Sequence, residues 1–330
     1  MSKRIQSFFT PIPNSKRHKL TDEAPLTTSR HATYPFPIAD LPSRIAKPLA
    51  NVASNKTPPK QIANKPHLDL LYFQPLIPAP LARDLFQVLR DELPFYRVAY
   101  TICRGATPTQ IATPRYTTVF GVDDTAQFVA DPDADPVSQV LVNRTSDRPI
   151  PSTQYQRTPR PLPACLNALR QCVEAATSDA TRYNFCLVNY YASGDDSIAY
   201  HSDDERFLGA NPTIASLSLG ASRDFLLKHK PVGAQMQRKQ GEEEQQEDLE
   251  GPPLKFQLAP GDLLVMRGET QANWLHSIPK RRGSQQGRIN ITFRRAVVPA
   301  GTDNYYRYNV GDGPVYRWSR EAGEMRKTEG

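Results

Sequence analysis

The sequence predicts a mainly β fold, a sandwich or jelly roll with a few flanking helices. Three observations carry this. Short runs rich in β-branched and aromatic residues dominate the second half: "NFCLVNYYA", "TIASLSLG", "RDFLLKHK", "LKFQLAPGDLLVM" and "RINITFRRAV". Gly, Pro and Asp turns separate them. No helices alternate with these strands, as a parallel sheet would require.

The chain has 330 residues and a formal charge of +7. Residues 1–66 hold eleven Lys/Arg against three Asp/Glu, a net of +8, and ten of the 31 prolines. With no sustained apolar period, this stretch is expected to be a disordered basic tail, suited to contact with a polyanion. The remainder, 67–330, is then one near-neutral domain. "KRHK" (residues 16–19) is a short basic cluster of the kind that acts in nuclear import. The start lacks the apolar core of a secretion signal, and no apolar run approaches the roughly 18 residues of a membrane span, so a soluble intracellular protein without a membrane partner is expected. Cys103, Cys165, Cys172 and Cys186 form no C-x-x-C pair and are read as reduced thiols.

Along the domain, apolar patterning starts at "LDLLYFQPLI". In "APLARDLFQVLRDEL", Leu81, Leu85, Val88 and Leu89 share a helical face. "PFYRVAYTI" and "PRYTTVFGV" alternate like strands. Helical spacing returns in "PACLNALRQCVEAAT", through Leu166, Leu169, Cys172 and Val173. The five β-rich runs quoted above follow, interrupted by the charged segment 237–253, which is expected to be a mobile loop. The aromatic-rich "DNYYRYNVGDGPVYRW" is expected to pack the domain.

"AYHSDDERF" poses the functional question. His201 and Asp203 have period-two spacing, so an extended backbone points both the same way. That is a surface turn or two ligands of a mononuclear iron site, which needs two histidines and a carboxylate on one face. The third ligand must come from His18, His31, His67, His229 or His276; the first three lie in or at the edge of the tail, and His276, in "NWLHSIP", sits just past a predicted strand and turn, where a jelly roll would bring a late strand back beside an early one. In "RINITFR", Ile289, Ile291 and Phe293 make an apolar face, while Arg288, Asn290, Thr292 and Arg294 make a polar one. Arginines turned into a barrel need an anion, and their fork suits a carboxylate. Asn189 and Tyr191 project together just before the His-x-Asp. This combination fits a pocket for iron plus a dicarboxylate.

The order N-x-Y, H-x-D, distal H and R-x-N-x-T-x-R, over most of residues 183–295, resembles the AlkB family of Fe(II)/2-oxoglutarate dioxygenases, in particular its eukaryotic nuclear branch that repairs alkylated DNA. The resemblance implies a double-stranded β-helix (jelly-roll) core at about 183–296 beneath an N-terminal nucleotide-recognition lid. It implies Fe(II) on His201, Asp203 and His276. It implies 2-oxoglutarate on Arg288, with Asn189, Tyr191 and Arg294 completing its site and Asn290 as a further candidate, and O2 as co-substrate. The family reaction oxidises an N-methyl group, and the hydroxymethyl product loses formaldehyde. N1-methyladenine and N3-methylcytosine are cationic, so Asp204 and Glu205 are expected to favour a flipped cationic base. Arg115, in "TPRYTTVFG", matches a Pro-Arg of the family's lid and is assigned to nucleic acid. Ile102, Cys103 and Arg104 are candidates for a wedge into the base stack.

"SKRIQSFF" resembles the PCNA-interacting peptide, with Ile5, Phe8 and Phe9 at i, i+3, i+4 and Ser2 where that motif has Gln. The sliding clamp is thus an expected partner through residues 2–9. Three functions remain open: a nuclear DNA demethylase, the same chemistry on methylated RNA, or a DNA- or clamp-binding adaptor on an inactive oxygenase fold.

Overall fold

Period-two alternation decides which side chains face the site. In the strand Arg288–Arg294, Ile289, Ile291 and Phe293 are fully buried in a cluster shared with helices, and Arg288, Asn290, Thr292 and Arg294 take the opposite face. The same logic splits Phe185–Tyr191: Val188 and Tyr190 go to the helical side, and Leu187 and Tyr191 go inward.

The computed structural model describes residues 27–55, 58–104, 107–130, 139–177, 181–231, 252–298 and 302–328. Two antiparallel sheets form the core. The larger has ten strands, with Tyr116–Gly121, Phe185–Tyr191, Arg288–Arg294, Ile214–Gly220, Leu263–Met266 and Leu70–Phe73 adjacent in that order. The smaller has four, in the order Ile198–His201, Trp274–Ile278, Arg223–His229 and Leu254–Leu258. Leu70, Leu187, Ile214 and Leu264 from the first sheet and Phe225, Leu227, Trp274 and Ile278 from the second share one buried cluster, so the sheets face each other. This is the expected jelly roll. "LKFQLAPGDLLVM" supplies a strand to each sheet and turns between them at Pro260–Gly261.

Three helices cover the outer face of the large sheet: α1 (Ser43–Ala50), α2 (Ala79–Glu92) and α3 (Ala164–Thr177). Leu81, Leu85 and Leu89 of α2 and Leu166, Leu169, Cys172 and Val173 of α3 are buried there, as their spacing predicts. Cys165, Cys172 and Cys186 are free thiols. The lid region forms a hairpin, Ala99–Arg104 against Thr107–Ala112. "PFYRVAYTI" is therefore two short strands, broken where Arg97 turns to donate from Nε to the Thr113 carbonyl at 3.1 Å. The side chains of Ile102, Cys103 and Arg104 lie outside the described residues. The C-terminal aromatic segment forms the helix Asp303–Asn309 and the strand Val315–Ser319.

The boundary of the tail is corrected. Residues 27–66 were expected to be disordered, yet Ile38 and Ile45 are 0% exposed and Leu49 is 2% exposed. Ile45 and Leu49 lie four apart on α1 and enter the cluster under α2 and α3. The Tyr34 hydroxyl donates to the Pro161 carbonyl at 2.6 Å, tying this arm to the body. High proline content masked an apolar pattern only eight residues long. Residues 1–26, with Ile5, Phe8, Phe9 and the basic cluster, lie outside the described residues, as do residues 232–251, which include most of the charged segment. No helix among the described residues is long and apolar enough to cross a membrane.

An expected result follows. Ile45→Ala should lower unfolding free energy by about 2–5 kcal/mol, the cost of truncating a fully buried aliphatic side chain. Urea denaturation reads this directly. An unchanged midpoint would mean that residues 27–66 merely lie against the domain.

Candidate metal centre and cavity

Strand pairing brings the two histidines together. His201 at the end of Ile198–His201 lies opposite His276 in Trp274–Ile278, with ring centroids 4.2 Å apart. Asp203 follows two residues on and is 2% exposed. One ligand atom from each of His201, Asp203 and His276 lies within 4.8 Å of the others. Among the described residues no other group of three or more metal-ligating side chains comes so close together.

Each member is oriented by a neighbour. His201 Nδ1 lies 2.9 Å from the Ala199 carbonyl, a contact that orients the ring and leaves Nε2 facing away from it. Phe225 stacks on His276 at 5.4 Å. Burial, helped by the nearby His201, holds the His276 imidazole down to about 3 despite the Asp203 charge, so it is neutral near pH 7. Its 3.9 Å approach to Asp203 Oδ2 is therefore spacing around a shared point rather than an ion pair. Burial pushes the Asp203 carboxyl up, but the Arg294 guanidinium and the two histidines outweigh it and hold it at about 2. Arg294 Nη2 donates to Asp203 Oδ1 at 2.7 Å, and the Gln271 side-chain oxygen accepts the Asp203 N–H at 2.8 Å. Oδ2 is buried and has no partner. A carboxylate with one oxygen tied back and the other free beside two imidazoles is the donor set that suits a divalent transition metal.

The cavity above this cluster measures about 760 Å³. Asn189, Tyr191, Asn290, Thr292 and Arg294 wall its inner part. Arg294 is 2% exposed, yet its Nε and Nη1 lack partners. Arg288 is 1% exposed, donates from Nη2 to Ser218 Oγ at 2.9 Å, and likewise leaves Nε and Nη1 unpaired. Burial lowers its pKa to about 10. Two buried arginines with bare N–H edges suit a further acceptor such as a carboxylate. Arg288 is not among the described residues that wall the cavity. It sits beside Tyr191, with its guanidinium 5.4 Å from that ring. Asn290 uses its Nδ2 to donate to Ser216 Oγ at 2.8 Å and to the Leu217 carbonyl at 3.1 Å.

The two neighbours of Asp203 separate. Glu205 enters the cavity wall, where burial and the nearby Asp203 charge raise its pKa and its Oε2 is unpartnered. Asp204 does not: it turns outward and accepts from Lys230 Nζ at 2.7 Å, with its side chain 51% exposed. The expectation that Asp204 meets the base is corrected on that ground. Arg115 is on the wall and donates from Nε to Asn189 Oδ1 at 2.8 Å, linking lid to floor.

Sequence reasoning missed Tyr305 and Gln271. Tyr305 is buried, places its hydroxyl 3.4 Å from Asp203 Oδ1, and lies under the Arg294 guanidinium at 5.1 Å. Its aromatic surroundings signalled packing, and only the 102-residue separation closed by the fold reveals the contact. Tyr308 and Asn309 also reach the cavity wall.

A two-histidine, one-carboxylate cluster between the sheets of a jelly roll, next to buried arginines with unpartnered nitrogens, defines a class. The chain belongs to the 2OG-Fe(II) oxygenase superfamily, whose pattern it matches over residues 69–294. Fe(II), 2-oxoglutarate and O2 are the cofactor and co-substrates of that family, and the expected set is thereby met. Among similar proteins, DNA oxidative demethylase ALKBH2 of Arabidopsis thaliana is 42% identical over 34% of this chain and 38% of its own length. Mouse alpha-ketoglutarate-dependent dioxygenase alkB homolog 3 is 39% identical over 44% of this chain and 48% of its own. Mouse DNA oxidative demethylase ALKBH2 is 38% identical over 42% and 54%. The AlkB resemblance is borne out by these relatives, of which the chain spans about half the length or less.

Proposed function

We propose that the chain is an Fe(II)/2-oxoglutarate-dependent demethylase of alkylated DNA, acting on N1-methyladenine and N3-methylcytosine. One observation carries it: the unpartnered Asp203 oxygen, His201 and His276 share a cavity with Arg294, whose Nε and Nη1 have no partner. Two of the relatives above bear the name DNA oxidative demethylase, which favours DNA over RNA.

In this reading His201, Asp203 and His276 hold iron. Bound there with 2-oxoglutarate and O2, iron supplies the oxidising power that turns an N-methyl into an N-hydroxymethyl group, with succinate and CO2 as co-products. The chain does the rest. Arg294 fixes Asp203 and offers its free edge to one carboxylate of 2-oxoglutarate, and Arg288 takes the other, with Asn189, Tyr191 and Asn290 lining the space between. Glu205 faces the cationic base, while Arg115 positions the strand and, through Asn189, ties that contact to the co-substrate site. The hydroxymethyl product then releases formaldehyde and restores the base.

The test uses full-length protein with Fe(II), ascorbate and 2-oxoglutarate on DNA and RNA oligonucleotides carrying either lesion. Mass spectrometry should show loss of one CH2 per methylated base in DNA, together with formaldehyde. Glu205→Gln should slow turnover of the cationic bases roughly tenfold, the effect of about 1.4 kcal/mol. Binding without product would support the adaptor. We also propose a nuclear location and a clamp contact through Ile5, Phe8 and Phe9. Calorimetry of a 1–20 peptide with PCNA, with and without Phe8→Ala and Phe9→Ala, tests the contact.

A further inference from the structure

Four large apolar or aromatic side chains are exposed among the described residues: Tyr100, Tyr200, Val298 and Tyr308. Three are tyrosines, and all three wall the cavity that holds His201, Asp203 and His276. A single exposed aromatic ring needs no explanation, but a cluster at one opening does. They come from unrelated elements. Tyr100 is on the lid hairpin, Tyr200 on Ile198–His201 and Tyr308 on the helix Asp303–Asn309, with exposures of 47%, 36% and 63%. The fold has brought three distant segments together to place water-facing rings around one mouth. The helix carrying Tyr308 lies beyond residues 69–294, so this part of the rim is outside the shared family pattern.

Cations accompany the rings. Lys228 Nζ lies 5.2 Å from the Tyr200 ring centroid, and Arg115 shares the wall with Tyr100. Aromatic faces beside cations are the chemistry that binds an unpaired polynucleotide: bases stack on the rings and phosphates meet the charges. In a duplex, bases next to an extruded one stay paired and stacked, so such rings would meet only backbone. In a single strand, each flanking base is free to take a ring.

We propose that Tyr100, Tyr200 and Tyr308 form a stacking rim for the unpaired bases flanking the one in the cavity, and that single-stranded DNA is accordingly the preferred substrate. The inference rests on the reading of this cavity as a DNA-base site.

The experiment separates the two. Fluorescence anisotropy of full-length protein without added iron is read on labelled, undamaged single-stranded and duplex oligonucleotides of one sequence at fixed salt. The wild type should bind the single strand more tightly. Tyr100→Ala and Tyr308→Ala should each weaken single-strand binding about tenfold and change duplex binding less than about twofold. Both residues are exposed, so neither truncation threatens the fold, and Tyr→Phe at either position should retain binding because the ring is kept. Single-strand affinity that survives Tyr100→Ala, Tyr200→Ala and Tyr308→Ala combined, or a wild type that prefers duplex, would overturn the rim. A protein that binds strands through the rim yet turns over no methylated base would overturn the reaction assignment alone.

Discussion

Asp203→Ala is expected to reduce turnover about a thousandfold or more, equivalent to roughly 4 kcal/mol, and to destabilise the fold at the same time. The first effect follows from losing the one carboxylate of the cluster. The second follows from Arg294. Its guanidinium is buried at 2% exposure, and its hydrogen bond to Asp203 Oδ1 is 2.7 Å. Removing the partner leaves a buried cation uncompensated, a loss of about 3–5 kcal/mol. Asp203→Asn separates the two consequences. It keeps an oxygen to accept from Arg294 and so retains much of the stability, while giving up the charge that a metal requires. Thermal denaturation of both variants beside their metal content checks the split. If Asp203→Ala melts with the wild type, the Arg294 contact contributes nothing to the fold.

Arg288→Ala is expected to act differently. Its KM for 2-oxoglutarate should rise about 30-fold or more, the effect of leaving a buried carboxylate without its partner, about 2–5 kcal/mol. Stability without co-substrate should fall little. Arg288 already lacks partners for two of its nitrogens, so its removal relieves a buried charge rather than orphaning one. Arg288→Lys should recover only part of the affinity, because an ammonium cannot present two parallel N–H groups. Initial rates against 2-oxoglutarate concentration decide this. An unchanged KM would move the role to Arg294.

The strand Arg288–Arg294 was legible because period two assigns faces without reference to anything else. Ile289, Ile291 and Phe293 had to be core, and the polar residues had to take the opposite face. His276 was less so. Its partnership with His201 depends on register between strands about 75 residues apart, which the motif order suggested and the pairing supplies. Asp204 and Glu205 illustrate the limit. Adjacent residues in a turn point apart, and Lys230, which holds Asp204 outward, follows the strand Arg223–His229, 26 residues on in sequence. Composition misled at residues 27–66, where ten prolines in the first 66 residues outweighed two leucine-like positions on a short helix. Tyr305 and Tyr308 were invisible as site residues, since an aromatic side chain that packs and one that lines a cavity look the same in sequence.

The central claim is that this cavity binds one iron through His201, Asp203 and His276 and needs 2-oxoglutarate beside it. Anaerobic titration of the full-length protein with Fe(II), with and without 2-oxoglutarate, tests it most directly. The account predicts one iron per chain, tighter when 2-oxoglutarate is present, and no binding at this site in Asp203→Asn. Failure to bind iron, or a stoichiometry and affinity that Asp203→Asn leaves unchanged, would contradict it.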